Sequence, residues 1–181
     1  MSMLALELRR LMGSGLDISE HLGLLRGLAM APDVQTVVEI GFRTGVSATA
    51  LASAGKALHC IDVLPCLAEV GRLKKLGANF TFKCADSHKV EIPKCDLLHI
   101  DSLHTYAHLR EELRLHAPRV TKWIALHDTT TFCDVGKDGT KPGLFAAIAE
   151  FLTQSEEGVK WRILLNLTNN NGLTVLQRHR A

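Results

Sequence analysis

Apolar positions in the first thirty residues recur every three or four places. Leu4, Leu8 and Leu11 form one stripe before Gly13 and Gly15 interrupt it; Ile18, Leu22, Leu25 and Leu28 form another that stops at Pro32. This spacing predicts two helices. Asp17, with Glu20 three residues later, is the expected capping box of the second. From Thr36 onward the pattern changes. Short aliphatic runs at 36–41, 57–63, 80–85, 96–101 and 123–127 alternate with helical stretches at 46–55, 66–77, 104–117 and 143–155. Nearly continuous apolar strands alternating with helices predict an α/β fold, a parallel sheet with helices on both faces. The last two runs, 162–167 and 173–177, are joined only by Thr168-Asn169-Asn170-Asn171-Gly172. That connector is too short for a crossover helix, so the two must pair as an antiparallel hairpin. Seven strands are expected in one domain, 1–181, with 1–32 as a short N-terminal helical extension and 33–181 as its core.

Composition narrows the function classes. Hydrophobic residues at 46% and charged residues at 22% are too apolar for a disordered chain. Lys plus Arg number 21 against 19 Asp plus Glu, a net charge of +2, which leaves no electrostatic footprint for nucleic acid. No apolar run is long enough to cross a bilayer, and charges within the first ten residues argue against a signal peptide. The five cysteines, Cys60, Cys66, Cys84, Cys95 and Cys133, are odd in number and contain no C-x-x-C pair. They are expected to be free, buried thiols of a reducing cytoplasm.

Candidate chemistry starts at the end of the first predicted strand, Glu39-Ile40-Gly41-Phe42-Arg43-Thr44-Gly45-Val46-Ser47. Glycine is needed where backbone turns tightly or approaches a ligand closely, and the helix that follows points free N–H groups at the turn. The segment is not G-x-G-x-x-G, so the dinucleotide fingerprint is absent; a plain tight turn is the alternative. Asp62 closes the next strand about twenty residues on, where an acid in nucleotide-binding sheets takes ribose hydroxyls. Glu39, Asp62, Asp86, Asp101 and Asp128 all fall at carboxyl ends of predicted strands. Asp101 and Asp128 each have a histidine close by, His104 and His127. Carboxylates on neighbouring strand tips can share a divalent cation, or they can simply cap the helices and turns that follow. His104 and His108 have zinc-pair spacing but lack the Glu of H-E-x-x-H and a third ligand, so His108 is expected at the surface or rim. His99, inside a strand, reads as a hydrogen-bonded core residue. His21, His59, His88 and His179 belong to no visible constellation.

These segments in order, with the terminal hairpin, resemble class I S-adenosylmethionine-dependent methyltransferases over about residues 34 to 178. They resemble in particular the small branch that includes the cephalosporin-hydroxylase-like and macrocin O-methyltransferase-like proteins. The resemblance implies a Rossmann-like sheet and a set of roles. Glu39, Gly41 and Gly45 would surround the methionine part of the cofactor with Thr44 and Ser47 nearby. Asp62 would hold the ribose, Asp86 and Ser87 would lie against the adenine, and Asp101 would face both the methionine amino group and the reaction centre. In metal-dependent relatives Asp101 and the pair His127-Asp128 correspond to the cation site, for Mg2+ or Mn2+. This chain departs from them: a histidine replaces one of two acids, Thr121-Lys122-Trp123 replaces a Gly-Gly, and Ser102-Leu103 stands where Gly-Asp is common.

The expected activity is methyl transfer to a hydroxyl oxygen of a small metabolite, with Asp101, His104 and His127 as the catalytic residues. His104 or His127 would be the general base where no cation is bound. The segment 130–142 is the expected mobile lid. The acceptor pocket is expected to be open, or completed by a second subunit in a homodimer. Alternatives are a catalytically degenerate cofactor-binding protein, a nicotinamide oxidoreductase, disfavoured by the missing glycine fingerprint and by the hairpin, and a metal-dependent hydrolase.

Overall fold

A computed structural model describes residues 2–154 and 159–180. Two helices lead, α1 (Met3–Met12) and α2 (Leu22–Met30), with a 3-10 turn at Ser19–His21 between them. Strands and helices then alternate as β1 (Thr36–Ile40), α3 (Val46–Ala52), β2 (Ala57–Asp62), α4 (Leu67–Lys75), β3 (Thr81–Cys84) and β4 (Cys95–Ile100). They continue as α5 (Tyr106–His116), β5 (Val120–His127), α6 (Leu144–Thr153), β6 (Val159–Leu167) and β7 (Leu173–Arg180). The sheet order is β3-β2-β1-β4-β5-β7-β6. β1 to β5 pair in parallel, and β7 inserts antiparallel between β5 and β6. The chain reverses direction between β3 and β4, so β1 and β4 lie side by side at the switch point where α/β sheets form their ligand crevice.

Strand alternation divides the core in two. Val37, Leu58, Leu97, Ala125 and Val175 face one way, against α1 to α4. Val38, Ile40, Leu98, Ile100, Ile124 and Leu126 face the other, against α5 and α6. By the same period of two, Glu39, His99 and His127 stand on the α1–α4 side, all three buried.

The expected strands and helices all form, with shifted ends. β5, β6 and β7 are longer than the apolar runs, because pairing recruits polar residues such as Lys160 and His179. The predicted end of the last helix, residue 155, lies outside the described residues. The capping box at Asp17 does not form. Helix α2 starts at Leu22 without a side-chain cap. The backbone N–H of Glu20 bonds Asn170 Oδ1 at 3.0 Å, and its carboxylate accepts Asn169 Nδ2 at 2.5 Å. The thiols are free but only Cys60 and Cys95 are buried; Cys66 and Cys133 are partly so and Cys84 is exposed. Among the described residues no helix is long and apolar enough to cross a membrane.

Candidate active site at the carboxyl ends of the strands

A cleft of about 570 Å³ opens where β1, β2, β3 and β4 end. Gly41, Asp62, Asp86, Ser87 and Asp101 line it, and so do Arg43, His108 and Lys137, whose places in it the local sequence pattern did not announce. Glu39, Thr44, Gly45 and Ser47 do not line it: Glu39, Gly45 and Ser47 are buried and Thr44 is exposed. The glycines of the first turn have packing reasons for their identity. Gly41 has φ +92°, and a Cβ there would meet the Asp101 carbonyl oxygen at 2.0 Å, so only glycine lets this turn press against the end of β4. A Cβ at Gly45 (φ +70°) would meet the Phe42 ring at 3.0 Å.

Asp62 ties two turns together. Its Oδ2 accepts the Arg43 N–H at 2.7 Å and its Oδ1 the Leu64 N–H at 2.8 Å. The Thr44 carbonyl accepts from Arg72 at 3.1 Å. Asp86 Oδ1 accepts the His88 N–H at 2.9 Å, and Lys89 Nζ lies 3.1 Å from Oδ2. Glu39 is fully buried, and neither of its carboxylate oxygens has a hydrogen-bond partner. On one neighbouring strand His99 Nδ1 lies 3.5 Å from Glu39 Oε1, and on the other stands Cys60, whose thiol pKa is pushed up by burial and by the Glu39 carboxylate. His99 is therefore a core residue as expected, but its ring nitrogens are not hydrogen-bonded.

At the other side of Asp101 lies a compact acid–imidazole cluster. His104 Nε2 sits 3.0 Å from both Asp101 Oδ1 and Asp128 Oδ2. Phe132 stacks on the His104 ring at 5.0 Å between centroids. His127 Nδ1 is 3.5 Å from Asp101 Oδ2 and 3.4 Å from Asp128 Oδ1, while its Nε2 faces the Asn170 carbonyl at 3.3 Å. Burial opposes charge on His104, but the two carboxylates outweigh it and raise its pKa to about 9. Burial likewise opposes, and Asp101 overcomes, so His127 is also raised. Asp101 is desolvated too, yet the two imidazoles hold its carboxyl well below the usual range. The three donors lying within 4.8 Å of one another are those of Asp101, His104 and Asp128. The cluster thus brings His104 into the set alongside Asp101 and Asp128, with His127 one step further out.

None of the acids of this cluster caps α5; Thr105 does, its hydroxyl accepting the His108 N–H at 3.3 Å. The segment 130–142 is anchored at several points. The Thr130 and Thr131 N–H groups bond the Asn171 carbonyl at 2.9 and 3.0 Å, and the Lys137 N–H bonds the His104 carbonyl at 2.8 Å. Three histidines without a sequence constellation have partners here. His21 packs edge-on against His127 at 5.6 Å, His88 stacks on His108 at 4.1 Å, and His59 Nδ1 lies 2.8 Å from Thr81 Oγ1.

A parallel sheet reversed at β1/β4, ending in an antiparallel hairpin and carrying its acids at one edge, is the Rossmann-like methyltransferase fold. The family described as a methyltransferase domain matches residues 38–129, from β1 to just past β5, and the chain belongs to that family. Among solved structures, it is similar to the N-methyltransferase NodS of Bradyrhizobium japonicum, in complex with S-adenosyl-L-homocysteine. That likeness has a TM-score of 0.66 and 16% identity and covers 98% of each chain. It is also similar to the O-methyltransferase TomG of Streptomyces achromogenes, in complex with S-adenosylmethionine, with a TM-score of 0.65 and 16% identity over 88% of this chain and 79% of that one. Magnesium protoporphyrin IX methyltransferase of Synechocystis gives a TM-score of 0.65 and 17% identity over 91% and 78%. At these identities the likeness carries the fold. No curated protein matches the chain.

Proposed function

We propose that the protein transfers the methyl group of S-adenosylmethionine to a hydroxyl oxygen of a small metabolite. The observation that carries the reading is the position of Asp101: it lines the cleft and is also a member of the acid–imidazole cluster, so one residue joins a nucleoside-sized groove to a proton-handling centre. The cleft falls in the size range of small-molecule sites, and the buried Glu39 carboxylate at the end of β1, whose oxygens have no hydrogen-bond partner, suits a cationic ligand group. In this reading Asp62 takes the ribose, Asp86 and Ser87 flank the base, and Gly41, Thr44, Gly45 and Ser47 shape the turn around the methionine end.

Methyl transfer from a sulfonium demands mostly in-line positioning. The new C–O bond forms as the S–C bond breaks, its electron pair returns to sulfur, and the hydroxyl proton leaves to a base. His104 and His127 are the bases at hand, and each must be neutral to serve. Two carboxylates and one imidazole, those of Asp101, His104 and Asp128, are also a donor set that fits a divalent cation such as Mg2+ or Mn2+, and the buried, unpartnered Asp128 Oδ1 points the same way. These three would hold it, with His127 behind them, and it would lower the acceptor's pKa and orient it. The free thiols agree with a reducing cytoplasm, and a second copy of the chain would be one way to close the acceptor side.

Incubation with methyl-labelled cofactor and a panel of catechols, sugars and polyketides tests the reading. Label is expected on hydroxyl oxygen, with Asp101→Asn reducing turnover by roughly a hundredfold or more, the scale of a lost acid–base contribution. Label on amines alone would overturn the oxygen assignment, and no label on any acceptor would favour the degenerate cofactor-binding alternative.

A further inference from the structure

Each carboxylate that lines the cleft is engaged within the protein. Asp62 accepts two backbone N–H groups, Asp86 accepts one and pairs with Lys89, and Asp101 lies against two imidazoles. Two long cationic side chains line the same cleft, Arg43 and Lys137. Arg43 Nη1 lies 3.6 Å from Asp17 Oδ2, whereas Lys137 has no ion-pair partner among the described residues. The backbone fixes where Lys137 stands. Its N–H donates to the His104 carbonyl at 2.8 Å, the Gly136 N–H to the Thr140 carbonyl at 2.8 Å, and the Gly139 N–H to the Gly136 carbonyl at 2.9 Å. Asp138 Oδ1 closes this loop by accepting the Thr140 N–H at 3.0 Å and the Thr140 hydroxyl at 2.8 Å. Gly136 is buried, and a Cβ there would meet the His104 carbonyl oxygen at 3.3 Å. The loop therefore lies close against the backbone of the candidate base. Leu103, next to His104 in sequence, is exposed and also lines the cleft, so this lip carries an apolar surface and a cation.

An unpaired cation on the wall of a cleft attracts ligands of opposite charge, and a charge-assisted hydrogen bond to one is stronger than a neutral bond. We infer that Lys137 selects the methyl acceptor by charge. The hydroxylated acceptor carries an anionic group, a carboxylate or a phosphate, that pairs with Lys137 while its hydroxyl lies at the acid–imidazole cluster. The inference rests on the functional reading above and deepens it by naming the acceptor's class. The donor's own carboxylate is the competing partner for the ammonium. Lys137, however, comes from the loop after β5 that is bonded to His104, whereas the turn read as holding the methionine end, 41–47, follows β1.

Rates of label transfer to matched acceptors test this: catechol, protocatechuate and dopamine as one set, glucose and its 6-phosphate as another. The wild-type kcat/KM is expected to be at least about tenfold higher for the acidic member of a set than for its neutral counterpart. Dopamine should be the poorest of its set. Lys137→Met, which keeps the length of the side chain and removes the charge, should erase the preference through KM, and Lys137→Arg should retain most of it. Added salt should narrow the preference in the wild-type protein. A preference confined to the catechol set assigns a carboxylate, and one confined to the sugars a phosphate. Neutral members used as well as acidic ones, or a preference that Lys137→Met retains, would overturn the inference and leave methyl transfer standing. Calorimetry with S-adenosylhomocysteine separates the competing partner. Lys137→Met should retain donor affinity, and a loss as large as that on the acceptor side would give the ammonium to the donor's carboxylate and overturn the inference. No label on any member of either set would overturn the functional reading, and the inference with it.

Discussion

At the scale of single residues, two positions carry sharp expectations. Gly41→Ala would set a Cβ 2.0 Å from the Asp101 carbonyl oxygen at a φ of +92°, and the obstacle is backbone, which cannot swing away. Stability should fall by at least about 2 kcal/mol, read as a lower denaturant midpoint with unchanged slope. His104 carries a pH signature. Its pKa is about 9 in the folded protein against about 6.5 in an unfolded chain, so the folded state binds more protons between those values. The contribution is therefore complete below about 6.5 and is lost as pH rises toward 9. Midpoints should decline across that window, and His104→Gln should flatten the decline. Asp101 acts oppositely: its carboxyl is held low, so its contribution is present above the ordinary carboxylate range and vanishes as the solution is made acid. A protonated His104 cannot act as base, so turnover without added metal should climb toward pH 9. A bound cation displaces the proton and should move that climb to lower pH.

At the scale of elements, the turn between β6 and β7 is the part most dependent on distant partners. Asn170 sits at φ 46°. Its side chain accepts from the Glu20 N–H at 3.0 Å and donates to the Leu16 carbonyl at 3.0 Å, while its own carbonyl faces His127. Asn170→Ala should cost roughly 1–3 kcal/mol, combining lost hydrogen bonds with left-handed backbone strain, and should speed amide exchange in residues 16–21. Unchanged exchange there would contradict the clamp. This turn also shows why part of the sequence misleads. Asp17 and Glu20 have capping-box spacing, but Glu20 is claimed by asparagines about 150 positions away, and a local pattern cannot register a competitor from another part of the chain. Strand interiors were legible for the opposite reason: Val37, Val38, Leu97, Leu98 and Ile124 are aliphatic wherever both faces are covered. Strand ends such as Lys160 and His179 were not, because pairing alone places them.

For the whole molecule, the connector of five polar residues was enough to foretell the hairpin, and the alternation enough to foretell the parallel sheet. That β7 would slip between β5 and β6 was not legible, since register and order depend on contacts no single segment encodes. The acids at strand ends were legible because topology gathers them at one edge, and five of the expected residues do line the cleft. His108 and Lys137 were not, since helix α5 and the loop after β5 bring them in from elements whose facing depends on packing. The account as a whole requires that the cleft hold an adenosyl donor whose ribose meets Asp62. Calorimetry of the wild-type protein and of Asp62→Asn with S-adenosylhomocysteine measures this most directly. Saturable binding at one site, weakened roughly tenfold to a hundredfold by the substitution, is the predicted result. No heat with the wild-type protein, or equal affinity in the two, would contradict it.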